Sequence, residues 1–491
     1  MGWGGVGRGA LARGWGAGPG MGRGGRGGGR EAGATAVQTG LSLLNELEGA
    51  GLLGMPYAVG LVGGAAGGAA CIACVGAAAG FTGVLLSRCM YEPRGAAEGA
   101  DAGSGSGGST GDGELDPGTG RPTGPGERVR DSYAAVGGAA IGSRGRTLVL
   151  GVQMLNLNLV ASSYLVLMGS CLSFVLPTPQ QLLGGGWGGG TAVSARAWTI
   201  VATLVCLPTV HLGGYKRLAA LSVLGVLCLL CIFSLGVYYG VRQEGEPGAP
   251  PPLPPPTLQQ VPASISMFLF AFSCHGIFPD LEKSMARPQL FPRVVGSVFA
   301  ANALLKMTFA FLLCSAFGGA IDPVVAANFP SAAARQAVSL LVCANALMSF
   351  PFPLVPVFRT LGCLAEGGAK EMALEATGVP NEGAPLLLQG EQSGSGRHAG
   401  GGRWRGTAER SVVVLCCGAV AVLVGNFAVV MGLMGSVTLS LLTFVFPATF
   451  YLRLHKPRGV LHKACLAVVA VGAVGGIAGT ASTVYLALWG G

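Results

Sequence analysis

Residues 39 to 60 of the chain read TGLSLLNELEGAGLLGMPYAVG. The run is long enough to cross a bilayer, yet it carries Asn45, Glu46 and Glu48 and is interrupted by Gly49, Gly51, Gly54 and Pro56. A plain membrane anchor has no use for two acids and a broken helix. In hydrocarbon an unpaired backbone group or carboxylate is costly, so such a segment is stable only where it faces protein or a watery cavity. The stretch therefore reads as a binding site. Gly49, Gly51 and Gly54 also spell GxGxxG, but a dinucleotide fingerprint needs a preceding strand and an acid about 20 residues further on. Cys71 to Cys74 fall there instead and no β-branched strand precedes, so a nucleotide-dependent enzyme is not expected.

The surroundings agree with a membrane protein. Of 491 residues 51% are hydrophobic and 11% charged, with a mean hydropathy of +0.57, where soluble domains carry about 25% charged residues. The 86 glycines divide between low-complexity stretches and apolar segments, where small residues let helices approach closely. The 14 cysteines lie almost all in apolar segments. The CxxC pairs Cys71/Cys74 and Cys228/Cys231 have no second pair at zinc spacing, so neither metal nor disulfide is inferred. The basic GRGGRGGGR run at 22–30 reads as part of a disordered cytosolic tail spanning 1–35, not as a nucleic-acid-binding arm.

Eleven apolar segments of about 20 residues are expected, near 37–60, 63–87, 147–176, 197–211, 218–241, 262–279, 294–320, 333–358, 411–431, 433–452 and 463–488. With the N-terminus in the cytosol, 27 of the 31 Lys and Arg fall on the cytosolic side. That asymmetry obeys the positive-inside rule and puts the C-terminus in the lumen. A transmembrane domain over 36–490 is expected, with disordered cytosolic loops at 95–126 and 367–402. In the second loop Glu382, Leu386 and Leu387 form an acidic dileucine pattern that an adaptor could read, although such short patterns arise by chance and a plain linker is the favoured reading.

Only one other segment is broken as the first is: ISMFLFAFSCHGIFPDLEKSM at 265–285, with Ser273, Cys274, His275 and Gly276 followed by Pro279. The first and sixth spans enter the membrane from opposite sides. Interrupted segments at corresponding places in two inverted halves mark the central site of a secondary transporter. The expectation is an all-α membrane fold with a 5+5 inverted repeat and one added span. Freed main-chain groups would hold a small amino acid among Asn45, Gly49, Gly51, Leu52, Gly54, Ser273, Cys274, His275 and Gly276. Glu46 and Glu48 lie about 200° apart on a helix, so only one meets the cavity, and Glu48 is the favoured proton carrier. Its other reading is a structural acid paired with Lys306 of the seventh span. His275 is read as a proton relay or as a hydrogen-bond donor to a freed carbonyl.

Asn45 with GAGLLGMPYA, RDSYAAVGGAAIGSRGR, FAFSCHGIFPDLEKSMARPQLFP, the Lys306 span, the NFP of 328–330, and MGLMGS before FVFPATFYLRL together resemble the amino acid/auxin permease family, in a branch of vesicular and vacuolar amino acid transporters. The resemblance covers roughly 38–488. It implies a LeuT-type fold and movement of small neutral amino acids, glycine- or GABA-like or broader, across the membrane of an acidic compartment, with no cofactor other than a proton gradient. Asn156 departs from it, because an acid is expected there in vesicular members; without that acid either Glu46 or Glu48 carries the proton or the coupling differs. A sensor of the same fold that binds amino acids without transporting them is the alternative. A channel fits less well, since no charged ring or filter loop occurs.

Overall fold

Thr35 opens the first helix with a capping box. Its hydroxyl accepts the Gln38 N–H while the Gln38 side chain accepts the Thr35 N–H. A computed structural model of the chain describes residues 34–92, 128–177, 191–211, 215–243, 251–365 and 401–489. The basic tail up to Gly33, most of the two loops expected in the cytosol, and Glu382, Leu386 and Leu387 lie outside them. Two residues assigned to the tail are ordered. Thr35 caps the helix, and Ala34 pairs with the chain near Met285, giving its N–H to Ser284 O at 2.8 Å and accepting from Ala286 N at 2.9 Å.

The first span is helix in three pieces: α1 (Ala36–Glu48), α2 (Ala50–Leu53) and α3 (Met55–Leu61). Gly49 leaves helical geometry at ψ −136°, and Pro56 sits in the opening turn of α3, where its missing N–H costs nothing. Gly63 and Gly64, at φ +85° and +87°, turn the chain into α4 (Ala65–Cys89). After a short helix α5 (Tyr133–Ile141), which Gly142 turns back against the next, the third span is α6 (Ser143–Val175), the fourth α7 (Thr191–Cys206) with a 3₁₀ turn to His211, and the fifth α8 (Tyr215–Gln243). The sixth is broken between α9 (Gln260–Ala271) and α10 (Phe278–Ser284), and the seventh is α11 (Phe291–Phe317). Then come α12 (Ala332–Ser349) with α13 (Pro351–Ala365), α14 (Gly401–Val424), a tenth span, and α17 (Gly459–Trp489). The tenth span joins α15 (Phe427–Leu433), a π-helix at Met434–Val445 and α16 (Phe446–His455).

Among the described residues nine helices are long and apolar enough to cross a membrane. The other two expected segments are helical but fall short, α1 by ending at Glu48 after 13 residues and α7 by having only 16. One expected boundary moves. The ninth and tenth segments part at Gly425 and Asn426 rather than near residue 432, because Gly425 takes φ +63° and the Asn426 side chain caps α15 through the Ala428 and Val429 N–H groups at 2.9 and 3.3 Å.

The packing repeats at an offset of five spans. The second packs on the seventh and the third on the eighth. Contact of the first with the seventh is matched by that of the sixth with the second. Likewise fifth on seventh is matched by tenth on second, and third on tenth by eighth on fifth. An odd offset reverses direction, so the two halves are inverted repeats with the broken spans in equivalent places. Opposite the Ala34 end, Leu253 of a proline-rich loop lies over Gly60 and Gly64, and Gly319 N–H donates to Pro251 O at 2.8 Å.

Candidate substrate and coupling site between the two broken spans

The breaks meet. A Cβ on Gly51 would lie 2.9 Å from the Ala271 Cα, the last residue of α9, so only glycine lets the two main chains cross there. Gly51, Leu52 and Gly54 are buried, Gly54 in direct contact with the Met431 thioether. Of these three, expected to line the substrate space, Gly51 packs the crossing and Gly54 the tenth span. Gly49 differs. It is half-buried, and the Tyr164 hydroxyl lies 3.6 Å from where its Cβ would be.

Lys306 of α11 is fully buried at the end of α1. Its ammonium donates to Leu47 O at 2.7 Å and to Asn302 Oδ1 at 2.6 Å, lies 3.7 Å from a Glu48 carboxylate oxygen, and sits over the Phe272 ring at 5.5 Å. Leu47 O belongs to the last turn of α1, where carbonyls lose their helical partners and attract a cation. The structure thus joins Glu48 to Lys306, as the structural reading of that acid requires.

Glu46 is elsewhere. At about 100° per residue, Thr39, Leu43, Leu47 and Ala50 form the buried face of the first span, while Gln38, Ser42, Asn45, Glu46 and Gly49 form an adjacent polar arc. Gln38, Ser42 and Glu46 are exposed and Asn45 is half-buried. Beyond that arc stand Val37 and Leu41, 71% and 62% exposed, as apolar side chains suited to lipid.

In the sixth span helical bonding stops at Phe272, and Ser273 and Cys274 precede a 3₁₀ turn at His275–Ile277. The Ser273 hydroxyl is 2.6 Å from that of Thr443, and Gln153 Nε2 approaches Gly276 O at 3.5 Å. Asn156, at the departure from the family pattern, accepts from the Thr438 hydroxyl at 2.8 Å. Thr438 and Thr443 both belong to the π-helix of the tenth span, and Tyr133 donates to the π-helical Leu442 O at 2.6 Å. None of Tyr164, Gln153, Asn302, Thr438 or Thr443 was singled out from sequence, although MGLMGS and FVFPATFYLRL bracket the last two. Cys274 is buried. His275 is fully buried and turned to α4, its Nε2 3.1 Å from both Thr82 Oγ1 and Ala79 O, with its ring stacked on Phe278. Because a carbonyl only accepts, Nε2 carries the proton. The donor reading of His275 fits this geometry, with the carbonyl in an intact helix rather than at a break.

Two inverted halves with interrupted spans crossing at small residues, a buried lysine at one break and polar side chains around the other define a multi-pass membrane carrier architecture. The chain belongs to the transmembrane amino acid transporter protein family, whose model matches residues 32–103 and 121–485. The human vesicular inhibitory amino acid transporter is 28% identical over 429 residues, 86% of this chain and 69% of that one. Amino acid transporter AVT1E of Arabidopsis thaliana is 26% identical over 429 residues, 86% and 68% respectively. The crystal structure of MhsT in complex with L-phenylalanine aligns with a TM-score of 0.46 at 16% identity, over 93% of this chain and 100% of that chain.

Proposed function

We propose that the chain is a secondary active transporter of small neutral amino acids in the membrane of an acidic intracellular compartment, driven by the proton gradient, with its N-terminus in the cytosol and C-terminus in the lumen. The observation that carries the reading is the crossing of the two breaks at Gly51 and Ala271, with Lys306 seated on the freed end of α1. The name of the vesicular relative supports the compartment.

The Lys306 ammonium supplies at Leu47 O the positive charge that a bound cation would otherwise bring. Glu48 answers that charge at 3.7 Å, too far for a direct hydrogen bond. When α1 moves relative to α11, the pair separates, and a carboxylate left in the membrane interior is stabilised by taking up a proton. Closing the pair again releases it. Movement of α1 is thereby tied to protonation of Glu48. Each pH unit is worth about 1.4 kcal/mol, and each 100 mV about 2.3 kcal/mol per charge.

The test is uptake of labelled glycine, alanine and GABA by proteoliposomes holding the purified protein, with an imposed pH gradient and with that gradient collapsed by a protonophore. Accumulation that disappears with the gradient is expected. Accumulation indifferent to it overturns proton coupling, and binding without uptake indicates a sensor.

A further inference from the structure

The two acids of the first span do different work. Glu48 is answered by Lys306, whereas no ion pair to Glu46 is found among the described residues. We infer that the Glu46 carboxylate takes the ammonium group of the amino acid, making it a residue that selects substrates with a free amine.

Depth is the first argument. Glu46 is the eleventh residue of α1, about 15 Å along the axis from its start, and the hydrocarbon core is about 30 Å thick. A carboxylate exposed near the midplane faces either lipid, which does not tolerate it, or water inside the protein. The arc of Gln38, Ser42, Asn45 and Glu46 answers which: it is a continuous polar strip from the capped end of α1 to the break, bordered by Leu41 on its Asn45 side, with Glu46 on the far side about 140° from Leu41 and about 180° from Val37. The strip ends where Gly49 leaves the helix and the Tyr164 hydroxyl approaches.

Charge is the second. Lys306 is already held by Leu47 O, Asn302 and Glu48, and about 200° of helix separates Glu48 from Glu46. A carboxylate left unanswered at the inner end of a hydrophilic strip calls for a cation from the ligand. An amino acid brings one in its ammonium group, and a charge-assisted hydrogen bond is the strong form of that contact. This rests on the transporter reading only for the ligand class.

The experiment is equilibrium binding of labelled glycine, alanine and GABA to the full-length protein in nanodiscs, alongside the proteoliposome uptake. Glu46→Gln should weaken binding by about tenfold to a hundredfold, the effect of losing a charged hydrogen-bond partner, and Glu46→Asp should restore part of it. The pH dependence of whatever uptake remains should match wild type. On the wild-type protein, N-acetylglycine should fail to displace glycine. Unchanged affinity in Glu46→Gln overturns the inference. So does unchanged affinity with lost proton-driven accumulation, which makes Glu46 a proton carrier, and so does effective competition by N-acetylglycine, which needs no variant to fold. Wild-type binding without uptake overturns the transport reading and leaves Glu46 decided by the binding arm. Binding of none of the three amino acids overturns both.

Discussion

The Lys306 ammonium lies 3.7 Å from the Glu48 carboxylate and joins the end of a broken helix to an intact one. Both partners are buried, Lys306 completely and the Glu48 side chain to all but 14%. Removing one member strands the other, a loss of about 3–5 kcal/mol for buried pairs. Lys306→Met should therefore lower the thermal unfolding midpoint of detergent-purified protein sharply. The double variant Lys306→Met with Glu48→Gln should recover part of that stability, since no charge is left unpaired. Glu48→Gln leaves the Lys306 ammonium with Leu47 O and Asn302 as acceptors, so it should lower the midpoint less than Lys306→Met while flattening the pH dependence of uptake. A pH profile unchanged from wild type would remove Glu48 as the coupling group.

Gly51 faces the Ala271 main chain, so a side chain there acts on the crossing rather than on a ligand surface. Gly51→Ala needs one span to shift, since its Cβ would come within 2.9 Å of a backbone atom. Overpacking of this sort costs about 1–3 kcal/mol. Gly49→Ala meets the Tyr164 hydroxyl at 3.6 Å and the Glu46 carbonyl oxygen at 3.9 Å, both ordinary contacts, and should be tolerated structurally. Unfolding midpoints of the two variants, measured side by side, should order Gly51→Ala well below Gly49→Ala.

His275 gives a second contrast. Its Nε2–H holds Ala79 O in α4, and its ring stacks on Phe278 at 4.8 Å between centroids. His275→Ala removes a buried ring and leaves a cavity, a loss of about 3 kcal/mol or more by analogy with large aromatic truncations. His275→Gln keeps a donor and should be milder. If His275 serves only the fold, the surviving transport of His275→Gln has the same pH dependence as wild type. A shifted profile would return it to the proton path.

The broken spans were legible because glycine, proline and acids inside an apolar run violate what a lipid-facing helix permits, and the same violation recurs five spans later at Ser273 to Pro279. What each glycine touches was not legible. Gly49 and Gly51 are alike in sequence, yet one borders Tyr164 and the other the Ala271 main chain, a distinction set by helix rotation and crossing. Glu48 and Lys306 are 258 positions apart, so their pairing depends on tertiary register. The π-helix contains a single glycine, Gly435, and no proline or charge, too little punctuation to set it apart from its neighbours. Its residues Met434–Val445 read as an ordinary apolar span.

That π-helix presents two hydroxyls to the neighbouring spans, Thr438 to Asn156 at 2.8 Å and Thr443 to Ser273 at 2.6 Å. Widened turns of this kind are rare and concentrate at functional sites. Ser273 lies in the unwound part of the sixth span, so the Thr443 contact holds the position of a break that would otherwise be free to move. Thr443→Val preserves shape while deleting the hydroxyl, leaving Ser273 to find another partner at a cost of about 1 kcal/mol. The expected outcome is a modest loss of stability with a larger rise in KM than fall in maximal uptake rate, because the break is less well ordered before substrate arrives. Thr438→Val releases Asn156 instead, a residue of the third span, and should leave the pH dependence unchanged if Asn156 has a structural place rather than a share in proton movement. A pH profile altered in Thr438→Val but not in Thr443→Val would put Asn156 on the proton path.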